Sequence, residues 1–78
     1  MKQILLVYAE WDYEENVWIA SSNDIPGFIA EAESIETLST KLQSMVPELL
    51  LLNERKTDEE IIIEIIARKY VKTQAMSE

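Results

Sequence analysis

The sequence predicts an α+β fold with the element order β-β-β-α-β, in which one helix covers one face of the sheet. Strand-like apolar runs separated by polar turns fill the first 32 residues. Apolar residues then recur every three or four positions from Ile35 to about Leu52, and a run rich in isoleucine follows. The 78 residues are enough for one small domain, which we expect to cover residues 1–78 with an ordered core at about residues 2–72.

The first predicted strand extends from Ile4 to Trp11. Both of its faces are mostly apolar, which is typical of a strand that is central or covered on both sides. One face carries Leu5, Val7, Ala9 and Trp11, and the other carries Ile4, Leu6, Tyr8 and Glu10. Residues 12–16 are polar and of hairpin length, so a second strand is predicted at Val17–Ser21.

A turn with a clear mechanism follows the second strand. In the sequence Asp24-Ile25-Pro26-Gly27, the proline presets φ near −65° and the glycine accepts a positive φ without steric cost. Gly27 is the single glycine of the chain. We therefore treat Asp24, Pro26 and Gly27 as a fold-determining turn, with a third strand from Phe28 to Ala32 that completes an antiparallel meander.

The predicted helix begins after Ser34, a good N-cap, and Glu36 in its first turn favours the positive end of the helix dipole. Pro47 removes one backbone donor and clashes with the preceding turn, so we expect a kink or a short break there and no end of the helix. The expected buried stripe consists of Ile35, Leu38, Leu42, Met45, Leu49 and Leu52.

The segment after the helix has two interpretations. Residues 53–58 are predicted to be a polar loop. Thr57 to Glu60 has the pattern of a capping box that opens a helix, whereas Ile61 to Ala67 alternates like a strand. Five isoleucines in six positions favour the strand, because β-branched side chains fit a pleated surface. Residues from about Thr73 are expected to fray.

Composition excludes several classes of function. The chain has no cysteine and no histidine, which removes thiolate metal sites, disulfides and the commonest general base. A net charge of −8 argues against direct binding to nucleic acid or anionic membranes. No apolar run reaches the roughly 20 residues of a membrane span, and no signal peptide is visible, so a cytoplasmic location is expected. We expect no enzymatic activity, no metal site and no cofactor.

Two surfaces are predicted to bind other proteins. Acidic and aromatic side chains form the first, which we expect to contact a basic partner: Tyr8, Glu10, Asp12, Glu14, Trp18 and Glu31. Isoleucines on the sheet face away from the helix form the second, together with one leucine: Ile4, Leu6, Ile62 and Ile66. Because one helix cannot cover both faces of a four-stranded sheet, this second surface predicts a homodimer or higher oligomer through sheet-face or edge contacts. The alternative is that a partner protein covers it.

With this element order, the chain resembles the HicB-like antitoxin superfamily, and in particular a short branch known as a domain of unknown function. The resemblance covers about Leu6 to Ala67. It depends on the Asp24–Gly27 turn, on the acidic helix start from Glu31 to Leu38, and on Val46 to Leu50. It implies a β-β-β-α-β fold similar to a truncated ribonuclease H fold, and a domain that binds and masks a small basic ribonuclease toxin.

The chain departs from that superfamily after Ala67. About eleven residues remain, too few for the DNA-binding module that such antitoxins usually carry, so autoregulation by this chain alone is not expected. A different class of function stays open. The chain could be a stand-alone domain that binds a small molecule or has a regulatory role.

Overall fold

The computed structural model describes residues 2–52 and 60–76, with the backbone alone for Lys2. The elements are strand β1 (Lys2–Asp12), strand β2 (Val17–Ser21), strand β3 (Ile29–Ala32), helix α1 (Ile35–Leu52) and strand β4 (Glu60–Arg68). The predicted α+β fold is confirmed, including the strand at the isoleucine run. The loop predicted at residues 53–58 lies outside the described residues.

The four strands form one mixed sheet in the order β3-β2-β1-β4. The first three pair as an antiparallel meander, with Trp11 opposite Trp18 and Ala20 opposite Ala30. After β3 the chain forms α1 and then returns to the sheet as β4, which pairs parallel to β1. The long first strand is therefore central, as its two apolar faces predicted.

The core lies between the sheet and α1. Small and medium side chains of the strands face the helix, and Leu38, Leu42, Val46 and Leu50 of α1 pack on them with exposures of 3% or less. The predicted stripe is partly wrong. Leu52 is 78% exposed, because the buried residues recur every four positions and this places Val46 and Leu50, not Leu52, toward the sheet.

Ser34 caps the helix as predicted. Its Oγ accepts a hydrogen bond from the backbone N–H of Thr37 at 3.0 Å, which satisfies one of the free donors of the first turn. The helix extends from Ile35 through Pro47 to Leu52 as one element, so it does not end at the proline and the short break expected as one possibility there is absent.

The Asp24–Gly27 corner is a type II turn. Gly27 has φ of 75°, Pro26 precedes it, and the N–H of Phe28 donates to the carbonyl oxygen of Ile25 at 3.2 Å. The turn directs Ile25 and Phe28 into the core, where they are 0% and 6% exposed.

Side chains before this turn extend the pairing of β1 beyond the end of β2. Asp24 Oδ2 accepts from the backbone N–H of Leu6 at 2.8 Å, and the Ser22 hydroxyl donates to the Leu6 carbonyl oxygen. The N–H of Asp24 donates to Ser22 Oγ at 3.0 Å. Two polar side chains thus satisfy backbone groups that a neighbouring strand would otherwise pair.

The connection between β1 and β2 is a tight acidic turn. Asp12 Oδ1 accepts from the N–H groups of Glu14 and Glu15 at 2.9 and 3.1 Å. Asn16 has φ of 58°, and its N–H donates to the Asp12 carbonyl oxygen at 2.8 Å. Asparagine tolerates this left-handed conformation better than most residues, which explains its position at the end of the turn.

Candidate protein-binding face

The side of the sheet that faces away from α1 is here called the open face. Strand alternation and the pairing register place one set of residues on it. The set consists of Ile4, Leu6, Tyr8, Glu10 and Asp12 of β1, Val17, Ile19 and Ser21 of β2, Ile29 and Glu31 of β3, and Ile62, Glu64, Ile66 and Arg68 of β4.

Apolar side chains cluster on the β1–β4 half of the open face. Ile4 lies opposite Ile62, and Tyr8 lies opposite Ile66. Leu6 and Ile62 are half-buried, whereas Ile4, Tyr8 and Ile66 are exposed. The structure therefore brings together the four residues predicted for an oligomer interface and adds Tyr8 to them.

Acidic and aromatic residues form a shallow groove on the adjoining half, at the β1–β2 end. The groove has a volume of about 570 Å³ and is lined by Tyr8, Glu10, Trp11, Asp12, Tyr13, Glu14, Ile19 and Ser21. Four of the six residues predicted to bind a basic partner line it, namely Tyr8, Glu10, Asp12 and Glu14. Glu31 also lies on the open face, opposite Ile19.

Trp18, the remaining residue predicted to bind a basic partner, lies on the side of the sheet that faces α1. It packs against the core cluster, and its ring meets that of Trp11 edge-on, with 5.4 Å between centroids. The two tryptophans are opposite each other in the β1–β2 register. Sequence reasoning missed Ile19 and Tyr13 as residues of the groove. Ile19 directly follows Trp18 in β2, so its side chain must face the opposite way.

Among the residues that the structure describes, one ion pair crosses the open face. The Arg68 guanidinium lies 3.0 Å from Glu10 Oε1, and both side chains are about two-thirds exposed. Such an exposed pair contributes little to stability. Its consequence for the site is that the Glu10 carboxylate of the groove has a cationic neighbour.

A second groove lies at the end of the sheet, where the chain leaves β4. It has a volume of about 800 Å³ and is lined by Trp11, Tyr13, Lys69, Tyr70, Val71 and Lys72. The Lys69 ammonium lies 4.4 Å from the centroid of the Trp11 ring, a cation–π contact. The Tyr13 hydroxyl donates to the carbonyl oxygen of Tyr70.

Exposed apolar, aromatic and charged side chains line these surfaces. Across residues 2–52 and 60–76, no three acidic side chains are grouped in a way that could hold a metal ion. Over the same residues, no helix has the length and apolar character that crossing a membrane requires.

Comparisons with known proteins agree with this fold. The crystal structure of a hypothetical protein, TTHA1013, from the extremely thermophilic bacterium Thermus thermophilus is 38% identical in sequence. It superposes with a TM-score of 0.80 over 91% of this chain and 100% of that one. No curated protein matches the chain.

A family model matches residues 4–77, which is nearly the whole sequence. The match includes all of the turn, the helix and the isoleucine strand. The chain therefore belongs to the DUF1902 family, a domain of unknown function.

Proposed function

We propose that this chain is a non-catalytic protein-binding domain and that its open face binds a small basic protein. The observation that supports this proposal most is the composition of that face. It combines exposed isoleucine and tyrosine side chains with an acidic groove on a sheet whose other face already contains the core.

The apolar residues of the open face exceed what the fold needs. Ile4 is 58% exposed and Ile29 is 70% exposed, although both belong to regular strands. Exposed apolar patches on small domains commonly mark contact surfaces. Aromatic residues beside them, such as Tyr8, are enriched where binding energy is concentrated.

Charge determines the kind of partner. The chain carries a net charge of −8, and the groove contributes Glu10, Asp12 and Glu14. Opposite charge on the partner accelerates association and selects against acidic competitors. A basic protein with an apolar patch therefore fits the open face better than a nucleic acid or an acidic protein does.

The resemblance to HicB-like antitoxins narrows the proposal. In that superfamily the same β-β-β-α-β arrangement masks a small basic ribonuclease toxin. By analogy, the partner is such a toxin encoded next to this gene, and the complex forms in the cytoplasm.

Co-purification tests the proposal. The tagged chain is co-expressed with the protein encoded by the neighbouring reading frame, and retention of that protein is measured. The charge-reversal variant Glu14→Lys/Glu31→Lys changes two exposed side chains of the acidic surface and is expected to reduce retention at least tenfold.

The matched control is Glu33→Lys/Glu48→Lys. It alters the net charge by the same amount, but Glu33 lies in the connection before α1 and Glu48 lies on α1. Retention should stay near that of the wild type. Equal losses in both variants would show that net charge, and not the open face, selects the partner. If neither neighbouring frame encodes a small basic protein, the toxin assignment fails.

Small-molecule binding is a second candidate, favoured by the groove of about 800 Å³ beside Trp11 and Tyr70. Aromatic walls and two lysines suit a small aromatic or anionic ligand. A ligand that raises the melting temperature of the wild type and of Glu14→Lys/Glu31→Lys equally, but not that of Trp11→Ala, would support this alternative.

A further inference from the structure

Strand β4 continues beyond the sheet as an extended segment. This segment, residues 69–76, is here called the arm; it contains neither helix nor strand. The longest dimension of the molecule is 61 Å. At about 3.3 Å per residue, the nine residues of β4 and the eight of the arm span about 56 Å in one line, so an extended arm that continues β4 accounts for most of that length.

The base of the arm is attached to its own domain, but the remainder is exposed. Lys69 contacts the Trp11 ring, and the Tyr70 carbonyl oxygen accepts from the Tyr13 hydroxyl. Beyond these contacts, Val71 is 81% exposed and Met76 is 97% exposed. An extended segment with exposed apolar side chains suits pairing with another strand.

Strand β4 is an edge strand with which such a segment can pair. It lies at one end of the order β3-β2-β1-β4, so its neighbour among the described strands is β1 alone. Its sequence is dominated by isoleucine, and edge strands of this kind readily pair with another chain. At the other edge of the sheet, Lys41 Nζ already donates to the Glu31 carbonyl oxygen of β3 at 2.6 Å.

We propose that the arm of each copy pairs antiparallel with the β4 edge of a second copy, forming a two-fold symmetric dimer. A straight strand that meets its own copy across a two-fold axis normal to the sheet is antiparallel to it. Each arm then covers the partner's β4, as an isologous interface requires. The inference does not depend on the proposed function.

Length and charge favour this occupant over an unrelated protein. The arm has eight residues and β4 has nine, so each can cover the other. Together they approach the roughly 20–30 residues per side of a stable interface. The arm carries Lys69 and Lys72 and no acidic residue, whereas β4 carries Glu60 and Glu64 beside Arg68.

One register pairs opposite charges of the two copies at one position on each side of the axis. Placing Lys72 opposite Glu64 of the second copy also places Tyr70 opposite Ile66, which is a favourable pairing of an aromatic and a β-branched side chain. Arg68 then lies at the two-fold axis. Its own Glu10, at 3.0 Å, offsets the charge there.

Sedimentation velocity of the full chain tests the dimer, with a pair of variants in the arm. Val71→Pro/Thr73→Pro removes backbone donors that a strand pair requires, at positions whose side chains are exposed. We expect the wild type to sediment as a dimer and this variant as a monomer with an unchanged far-ultraviolet circular dichroism spectrum. The control Val71→Thr should remain a dimer.

A monomeric wild type, or a dimer that tolerates both prolines, would overturn the proposal. So would a dimer that Ile62→Glu/Ile66→Glu dissociates and the prolines do not, since that result places the interface on the open face. The dimer proposal can fail without the failure of the proposed function, because toxin retention is measured separately, by co-purification with the Glu14→Lys/Glu31→Lys variant.

Cysteine cross-linking tests the register, because the chain has no cysteine of its own. In Glu64→Cys/Lys72→Cys the two sites are eight residues apart along an extended chain, or about 26 Å, too far for an intrachain disulfide. Oxidation should produce a covalent dimer whose peptide map links positions 64 and 72. Absence of that link would contradict the proposed pairing.

Discussion

The two faces of the sheet carry apolar residues for different purposes. On the face that packs against α1, here called the covered face, Ala9, Ala20 and Ala32 belong to the buried core cluster, and the helix supplies large side chains to that cluster that are almost fully buried. On the open face, Ile4, Tyr8 and Ile66 are each at least 42% exposed. Folding therefore depends on the covered face, and the apolar area of the open face remains available for binding.

The largest expected effect comes from breaking the covered face. Leu42 is 1% exposed at the centre of α1, so Leu42→Ala should reduce the free energy of unfolding by about 2–5 kcal/mol in urea titrations. Ile66→Ala, the matched truncation on the open face, should cost about 1 kcal/mol or less, since its side chain is already partly in water. Equal losses would contradict the distinction between the faces.

Much of the covered face could be predicted from local patterns. The cap at Ser34, the Pro26-Gly27 turn and the β-branched run of β4 each have a local physical cause, and all three were located correctly. The helix stripe was harder, because Leu49, Leu50, Leu51 and Leu52 are apolar in succession. Within such a run, periodicity does not distinguish Leu50 from Leu52.

The open face was harder to predict because it depends on register. Trp18 has the composition of a binding residue, yet its position opposite Trp11 places it on the covered side. Alternation along a strand shows which residues share a face. Which face meets the helix is decided by pairing across several strands, and that information is not local.

A smaller effect is expected just before the Pro26-Gly27 turn, where the Asp24 side chain bonds to β1. Asp24→Ala removes the acceptor of the Leu6 N–H, and hydrogen bonds to charged groups contribute about 1.5–3 kcal/mol. We expect a loss of about 2 kcal/mol in chemical denaturation. Asp24→Asn keeps an acceptor oxygen and should recover more than half of it; no recovery would show that the charge, not the hydrogen bond, is what matters.

The turn itself should give a still smaller loss. Nothing lies within 4 Å of a Cβ built on Gly27, so Gly27→Ala introduces no clash. Its cost is the positive φ of 75°, about 1 kcal/mol or slightly more. Both variants are compared with the wild type by thermal unfolding. Gly27→Asn should lose less stability than Gly27→Ala, because asparagine tolerates that conformation. A larger loss for Gly27→Asn would contradict the assignment of the cost to the positive φ.

The smallest effect is expected for the ion pair of the open face. A double-mutant cycle of Glu10→Gln and Arg68→Gln should give a coupling energy of about 0.2–1 kcal/mol that decreases with salt, because both side chains are exposed. A coupling energy well above this range, or one insensitive to salt, would indicate that the open face is buried in solution.

The most direct test combines stability and binding in one variant, Ile62→Glu/Ile66→Glu. On a single preparation, the urea midpoint is measured together with retention of the co-expressed basic protein. We predict a midpoint close to that of the wild type and loss of retention, because these side chains serve the open face and not the core. A protein that unfolds at much lower urea, or one that retains its partner fully, would contradict the account.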